Sequence, residues 1–393
     1  MPVDFPSIQD QVRQWGEKAP RLIQDQQQRR TEALACLAEA SGKIELLGET
    51  VAQSMALNPG LRCAAPAGEM LLSRRPLPET PPVYTVLAAD GSQINPDRHA
   101  RVEFCVINVG AFAIYPGQAL PSRELKSSRL LSPDELYTVN GLVTEEFVAL
   151  SRDLSERSFL AELACDAPHP LVTLTDGPLE LFWERESRGI EEFRRLFEKY
   201  LTELRRLSEL GAVTAGYVDK PASDLVVRML ELTQLGDLRQ AGKPKGRPWI
   251  GLTDTGLFRD ALAPGERSAL FAIRSPAAQS FTGELALHFF YLNVGMETRP
   301  YLARVELPGW VASDPPAVDL LHAALVSQSR VLGARPYPYA LHRAHEVAVV
   351  PLVEKEQLEQ MLVAEMLRRG LPVGEKSNKQ TAKDGQGRTR YKG

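Results

Sequence analysis

Two rhythms of apolar and polar residues run along this chain, and the change from one to the other predicts its elements. Through residues 5–58, Leu22, Ile23, Ala33, Leu34, Leu37, Ile44, Leu47 and Val51 recur at helical spacing among Gln, Arg and Glu. That spacing predicts an N-terminal helical arm. Gln24–Arg30 is wholly polar, so the arm is expected to be a hairpin facing solvent or a partner. Residues 59–82, rich in Pro, Gly, Ala and Arg, read as a linker or surface loop.

The rhythm then shortens. Residues 83–90 form an apolar strand, 101–108 alternate as a second, and 109–115 make a third or continue the second past a kink at Gly110. Residues 116–129 read as loop. A long helix is expected over 133–165, capped by Ser132 or Asp134 and broken near Asn140-Gly141. Strand four is 171–176, a charged helix spans 187–209, strand five is 212–218 and a further helix covers 223–235.

Three antiparallel strands, helix, strand, helix, strand, helix is the order of the ribonuclease H-like fold. The expected class is therefore α/β, a mixed five-stranded sheet flanked by helices, with its core over 83–235. In that fold the first and fourth strands are neighbours. Beyond the core, 249–253, 269–274, 285–293, 299–307 and 347–352 read as strands, with 299–307 pairing with 285–293, and 317–331 and 355–369 as helices. The domain is expected to close near residue 370, leaving 371–393 as a disordered basic tail.

Composition narrows the class. The chain has 393 residues, of which 44% are hydrophobic and 24% charged, as in ordinary globular proteins. No apolar run approaches the roughly 20 residues of a membrane span, and the N-terminus lacks the basic and apolar regions of a secretory signal. Cys36, Cys63, Cys105 and Cys165 show no zinc spacing and point to a reducing cytoplasm. The net charge of −4 argues against a broadly basic nucleic-acid coat.

The candidate chemistry lies at two strand ends. Asp90-Gly91-Ser92 closes the first apolar run, and Asp176-Gly177 closes the fourth. Asp-Gly is a strong turn signal by itself. On adjacent strands, however, the two aspartates would share one rim of the sheet, and paired carboxylates are natural ligands for Mg²⁺ or Mn²⁺.

Asp90-Gly91-Ser92, Leu174-Thr175-Asp176-Gly177-Pro178-Leu179, Gly216-Tyr217-Val218-Asp219-Lys220-Pro221 and the run Tyr337 to Glu346 together resemble the NurA nucleases over about residues 80–370. The resemblance implies a manganese-dependent nuclease that cuts single-stranded DNA and trims DNA ends 5′ to 3′. It implies a homodimer working in end resection with a HerA-type hexameric ATPase. It further implies a site of Asp90, a helix glutamate and Asp176, with Tyr337 and His345 nearby. Glu156 is favoured over Glu162 for the glutamate, and His345 over His342 for the histidine. Two ions, Mn²⁺ or Mg²⁺, would be held by Asp90, Glu156, Asp176 and His345, with Asp90 bridging. The chain departs from the family pattern at Pro178, where Ser is common, and at Asp219 beside Lys220.

Lys220, Lys243, Lys245 and Arg247, with Arg74 and Arg75, are candidate DNA contacts. Two other functions compete. One is a non-catalytic adaptor of a DNA-translocating ATPase. The other is an actin-like or sugar-kinase ATP-binding enzyme, for which Leu252-Thr253-Asp254-Thr255-Gly256 would be a phosphate loop.

Overall fold

The apolar runs around Val86 and Val172 lie side by side as parallel strands, with Val86 opposite Val172 and Ala89 opposite Thr175. The structure, a computed structural model, describes residues 4–138, 141–181 and 190–375. In chain order its main elements are α1 (Phe5–Ser41), α2 (Ile44–Leu57), β1 (Cys63–Pro66), β2 (Thr85–Ile94), β3 (Val106–Ile114), β4 (Arg123–Leu130) and α3 (Glu145–Ala164). They continue with β5 (Leu171–Asp176), α4 (Ile190–Glu209), β6 (Val213–Val218), α5 (Leu225–Glu231), β7 (Phe271–Arg274), β8 (Leu287–Asn293) and β9 (Leu302–Pro308). Helices α6 (Pro315–Arg330), α7 (Tyr339–Ala348) and α8 (Leu352–Arg368) complete them.

The chain divides into two compact units. One takes the N-terminal residues through Thr80, Gly177–Glu180 and Ala215–Tyr337. The other takes Pro81–Asp176, Leu181–Thr214 and the described residues from Pro338 onward.

In the first unit, β1 pairs with β7, β7 with β8, β8 with β9 and β9 with β6, all antiparallel. The pairing of 285–293 with 299–307 expected from the sequence is present as β8 with β9. Phe271, Phe289, Tyr291 and Tyr217 are fully buried along these strands and form the centre of the core. The second half of α1 buries Ala33, Cys36, Leu37 and Ala40.

In the second unit the order is β5, β2, β3, β4, with one parallel pair and two antiparallel ones. This is a mixed sheet. Val86 to Ala89 and Leu171 to Thr175 are buried throughout, the pattern of strands covered on both faces. Helix α3 buries Val148, Leu160 and Ala161, and Tyr200 of α4 is fully buried. Helix α8 rests Leu358 and Leu362 on a cluster of Ile94, Phe104 and Val106.

Several local readings are corrected. The expected loop 116–129 contains β4, whose residues are almost all exposed because it is the outer strand of its sheet. Its charged sequence carries no apolar alternation and suits an edge. The second strand, expected over 101–108, begins only at Val106 and, of the two alternatives, continues through Gly110 to Ile114 as one strand. The helix over 133–165, expected to break near Asn140-Gly141, is interrupted over a longer stretch. After a turn at Pro133–Leu136, held by a capping box of Ser132 and Glu135, two-residue strands at Tyr137–Thr138 and Gly141–Leu142 precede α3. The expected strand 249–253 is a run of turns leading into a short helix, Asp254–Phe258. The expected strand 347–352 is the junction of α7 and α8, where Pro351 is the N-cap of the second helix. The linker holds strand β1. The start of the charged helix before residue 190, and the tail from residue 376, lie outside the described residues.

Among the described residues, no helix is long and apolar enough to cross a membrane.

Candidate active site

Asp90 lies at the point where the parallel ladder ends. Ala89 still pairs with Thr175, while Asp90 is held on its other side opposite Gly110 of β3. The strand runs on to Ile94, so Asp90 is inside β2 and not at its tip as the sequence suggested. Asp176 is the last residue of β5, one step past Thr175, and is exposed. The register therefore places both carboxylate-bearing residues at one end of the parallel pair.

The Asp90 carboxylate is fixed on both oxygens. Oδ1 accepts from the Gly91 N–H at 2.8 Å. Oδ2 lies 2.6 Å from Nδ1 of His345. His345 is carried there by α7, which is pinned at its C-terminal end. The Ala348 carbonyl accepts hydrogen bonds from the Ser92 hydroxyl and, at 2.7 Å, from Asn108 Nδ2. Ser128 in turn donates to Asn108 Oδ1 at 2.6 Å. Gly110 allows the approach, since a Cβ there would stand 2.5 Å from the Ala348 nitrogen. At the other end of α7, Tyr339 packs edge-on against Phe112 with ring centroids 5.8 Å apart.

Glu156 comes from α3. Its side chain and that of Arg152 cover Gly91, so that an added Cβ would meet Arg152 Cγ at 2.5 Å and Glu156 Oε1 at 2.7 Å. Arg152 lies 3.5 Å from Glu156 Oε1 and 2.9 Å from Asp153 Oδ1. Burial pushes the Glu156 carboxyl well above the usual carboxylate range. The charges of Asp153 and Asp90 add to this, against the opposing pull of Arg157 and Arg152. Arg157 is itself buried, with its guanidinium 5.6 Å from the Tyr200 ring centroid.

The candidates that the sequence left open are thus placed apart. Glu156 stands against Gly91, whereas Glu162 lines a separate cavity beside Ile107 and Lys199. His345 meets Asp90, whereas His342 faces Glu346 at 3.6 Å. Tyr337 belongs to the first unit, where it packs edge-on against Tyr217 at 5.6 Å. Arg152 was not singled out from the sequence. An Arg–Glu pair four apart on a helix is an ordinary surface pattern, and only the burial of Glu156 sets this one apart.

The candidate DNA contacts also differ among themselves. Lys243 and Lys245 are exposed, and Lys220 has a left-handed backbone with φ of 46°. The Arg247 side chain is nearly buried and bonds Asp224 and Glu231, each at 2.6 Å. Arg74 donates to the Ala261 carbonyl, and Arg75 pairs with Glu69. Asp254, the centre of the possible phosphate loop, is fully buried. It accepts from the N–H groups of Val226 and Val227 and from the Tyr291 hydroxyl, and burial pushes its carboxyl up to about 6. It caps α5 from inside the core.

Among the described residues, no three His, Cys, Asp or Glu groups converge closely enough to hold a metal ion as the side chains stand. The donor set nevertheless fits a hard divalent cation. Asp90, Glu156 and Asp176 offer carboxylate oxygens, the preferred ligands of Mg²⁺ and Mn²⁺. The buried Glu156, held away from its charged form, is the kind of group that a cation would relieve.

Comparison with known proteins supplies the family. The NurA domain matches residues 84–350, a span that contains every residue of this site. Among solved structures, the NurA nuclease from Sulfolobus solfataricus aligns with 85% of this chain and 96% of its own, at 13% identity and a TM-score of 0.49. The catalytic domain of human Endonuclease V aligns with 84% and 99%, at 16% identity and a TM-score of 0.32. No curated protein matches the chain. With the NurA domain spanning most of its length, the chain belongs to the NurA family.

Proposed function

We propose that this protein is a metal-dependent deoxyribonuclease on a ribonuclease H-like core, cutting single strands and trimming DNA ends 5′ to 3′ in end resection and repair. The observation that carries the reading is the junction of His345 with Asp90, beside a buried Glu156, in a chain of the NurA family. Asp90, Glu156 and Asp176 are the residues that would hold Mn²⁺ or Mg²⁺, two ions in the fullest arrangement, while His345, with Nδ1 already on Asp90, serves as the base rather than as a ligand. Bound there, such ions stabilise charge on a phosphoryl oxygen and acidify water.

The chain's own groups have definite tasks in this reading. Asp90, by accepting from Nδ1 of His345, fixes the ring and leaves Nε2 as the acceptor. The ring is 61% exposed, so Nε2 can take a proton from an attacking water. Arg152 balances the negative charge of Asp153 beside the buried Glu156. DNA held by phosphate contacts would bind less tightly as salt rises, with little sequence preference.

The partners follow from the same reading. A HerA-type hexameric ATPase would deliver DNA ends, in the cytoplasm. A second copy of the chain would pack along α1, where Phe5, Ile8, Val12, Trp15 and Leu22 are exposed. Their spacing of three, four, three and seven is that of a coiled-coil seam.

The test is incubation of the purified protein with end-labelled single-stranded DNA and Mn²⁺, alongside Asp90→Ala and Asp176→Ala. Cleavage lost in both variants is expected. Cleavage that survives both would overturn the site.

A further inference from the structure

The first unit contains a cavity of about 880 Å³ whose lining includes none of Asp90, Glu156, Asp176 and His345. It lies within the range of roughly 300–1,000 Å³ common for ligand sites. Its wall is formed by the turn between β8 and β9, the C-terminal end of α6 and the segment leading to Tyr337. Three arginines line it: Arg299, Arg330 and Arg335. All three are exposed.

What sets the cavity apart is that three arginines meet in one lining with no carboxylate partner among the described residues. Arg62, Arg75, Arg152, Arg247, Arg267, Arg304 and Arg343 each meet a carboxylate. The guanidinium groups of Arg299, Arg330 and Arg335 make no ion pair or hydrogen bond among the described residues. The one carboxylate in the lining, Asp219, accepts from the Tyr301 hydroxyl at 2.9 and 3.0 Å. The cavity therefore carries a net positive charge. Ser329, a fully buried residue of the same wall, has a hydroxyl with no hydrogen-bond partner among the described residues. Tyr301 and Tyr337 add aromatic surface to the same lining.

We infer that this cavity is a binding subsite for a single-stranded nucleic-acid segment, gripped through its phosphates by Arg299, Arg330 and Arg335, with bases against Tyr301 and Tyr337. Guanidinium groups pair with phosphate oxygens through parallel N–H bonds, and aromatic rings accept any base. The subsite rests on the nuclease reading for its ligand but not on the metal site for its binding energy. It would hold a strand without cutting it.

The test measures binding, not cleavage. Fluorescein-labelled oligothymidine is titrated in EDTA across a salt series, with the full chain and with the triple variant Arg299→Gln, Arg330→Gln, Arg335→Gln. Each phosphate contact on a single strand adds about 0.7 to the slope of log affinity against log salt. Loss of three should lower that slope by about 2 and weaken binding at least ten-fold at low salt. The triple Lys variant, which keeps the charge, should recover most of the slope. Should the triple Gln variant fail to fold, Arg335→Gln alone should remove about 0.7 of the slope.

Wild-type affinity and slope in the Gln variants would overturn the subsite while leaving the nuclease reading intact, provided that the full chain cleaves DNA with Mn²⁺. A full chain that neither binds nor cleaves single strands would overturn both.

Discussion

His345 of α7 places Nδ1 2.6 Å from Oδ2 of Asp90, although the two residues are far apart in sequence. Helix α7 thus brings a proton-accepting ring to the strand that carries the first carboxylate. His345→Ala should lower kcat on DNA by about 10²–10⁴, the usual contribution of a positioned general base. His345→Gln should not restore it, since an amide cannot take up the proton. His342→Ala, which removes a ring paired among the described residues with Glu346, should leave kcat near wild type. Equal losses at both histidines would dismiss the assignment. Single-turnover cleavage of labelled DNA measures all three.

The raised titration of Glu156 makes a thermodynamic prediction for the metal-free protein. A carboxyl whose folded pKa exceeds its unfolded value binds its proton more tightly when folded. Its contribution to stability is fully present below the ordinary carboxylate pKa and is lost as pH rises through the folded value. Glu156→Gln should therefore stabilise the metal-free protein at neutral pH and remove that part of the pH dependence. Mn²⁺ should raise the melting temperature of the wild type by more than that of Glu156→Gln, because only the wild type gains an ionised ligand. Thermal unfolding in EDTA and in Mn²⁺, at pH 5 and pH 8, decides both points.

Gly91 tests how tightly the helix glutamate is held. A methyl group there would stand 2.5 Å from Arg152 Cγ and 2.7 Å from Glu156 Oε1. Gly91→Ala must displace both side chains from the strand. Overpacking of this kind costs about 1–3 kcal/mol. A shift of about 1 Å at a reacting centre costs about 10² in rate. The expected variant is folded, melts lower and cuts poorly, while its affinity for DNA in EDTA is unchanged. A fully active Gly91→Ala would mean that Glu156 plays no part in the chemistry.

The legible part of this site was the part written in apolar runs. Val86 to Ala89 and Leu171 to Thr175 are buried on both faces, so they read as strands from sequence, and the aspartates that follow them stand out. Where packing overrode pattern, the reading went astray. Val347-Ala348-Val349-Val350 has the β-branched look of a strand, yet it lies at the end of α7, where the Ala348 carbonyl is taken by Ser92 and Asn108. Strand β4 has too many charges to look like a strand, because its place is at the outer edge of its sheet. Sequence spacing leaves Glu156 and Glu162 as rivals on one helix. What separates the two in space is the bare backbone of Gly91, a contact no spacing rule could supply.

Trp15 is 69% exposed on α1, in line with Val12 at 60% and Leu22 at 53%. Large apolar groups left in water along one helix face are covered when a second helix packs on them. Trp15→Glu combined with Val12→Glu should convert a dimer to a monomer in light scattering. The melting temperature of the remainder should barely change, because α1 buries none of its own residues before Ala33. A wild-type protein that is monomeric at micromolar concentration would exclude this seam as a self-association surface.

Asn108 touches no substrate in this reading, and its role is to hold α7 in place. Its amide donates to the Ala348 carbonyl and its oxygen accepts from Ser128, so Asn108→Ala releases the end of the helix that carries His345. Loss of a buried hydrogen-bond pair of this kind costs about 1–3 kcal/mol in stability. The kinetic signature separates positioning from mere instability. If Asn108 acts by holding His345 on Asp90, its removal should lower kcat in the wild type but do nothing further once His345 is Ala. The two rate effects would then be far from additive in a double-mutant cycle. A purely structural asparagine would instead lower the melting temperature in both backgrounds and multiply its rate effect onto that of His345→Ala.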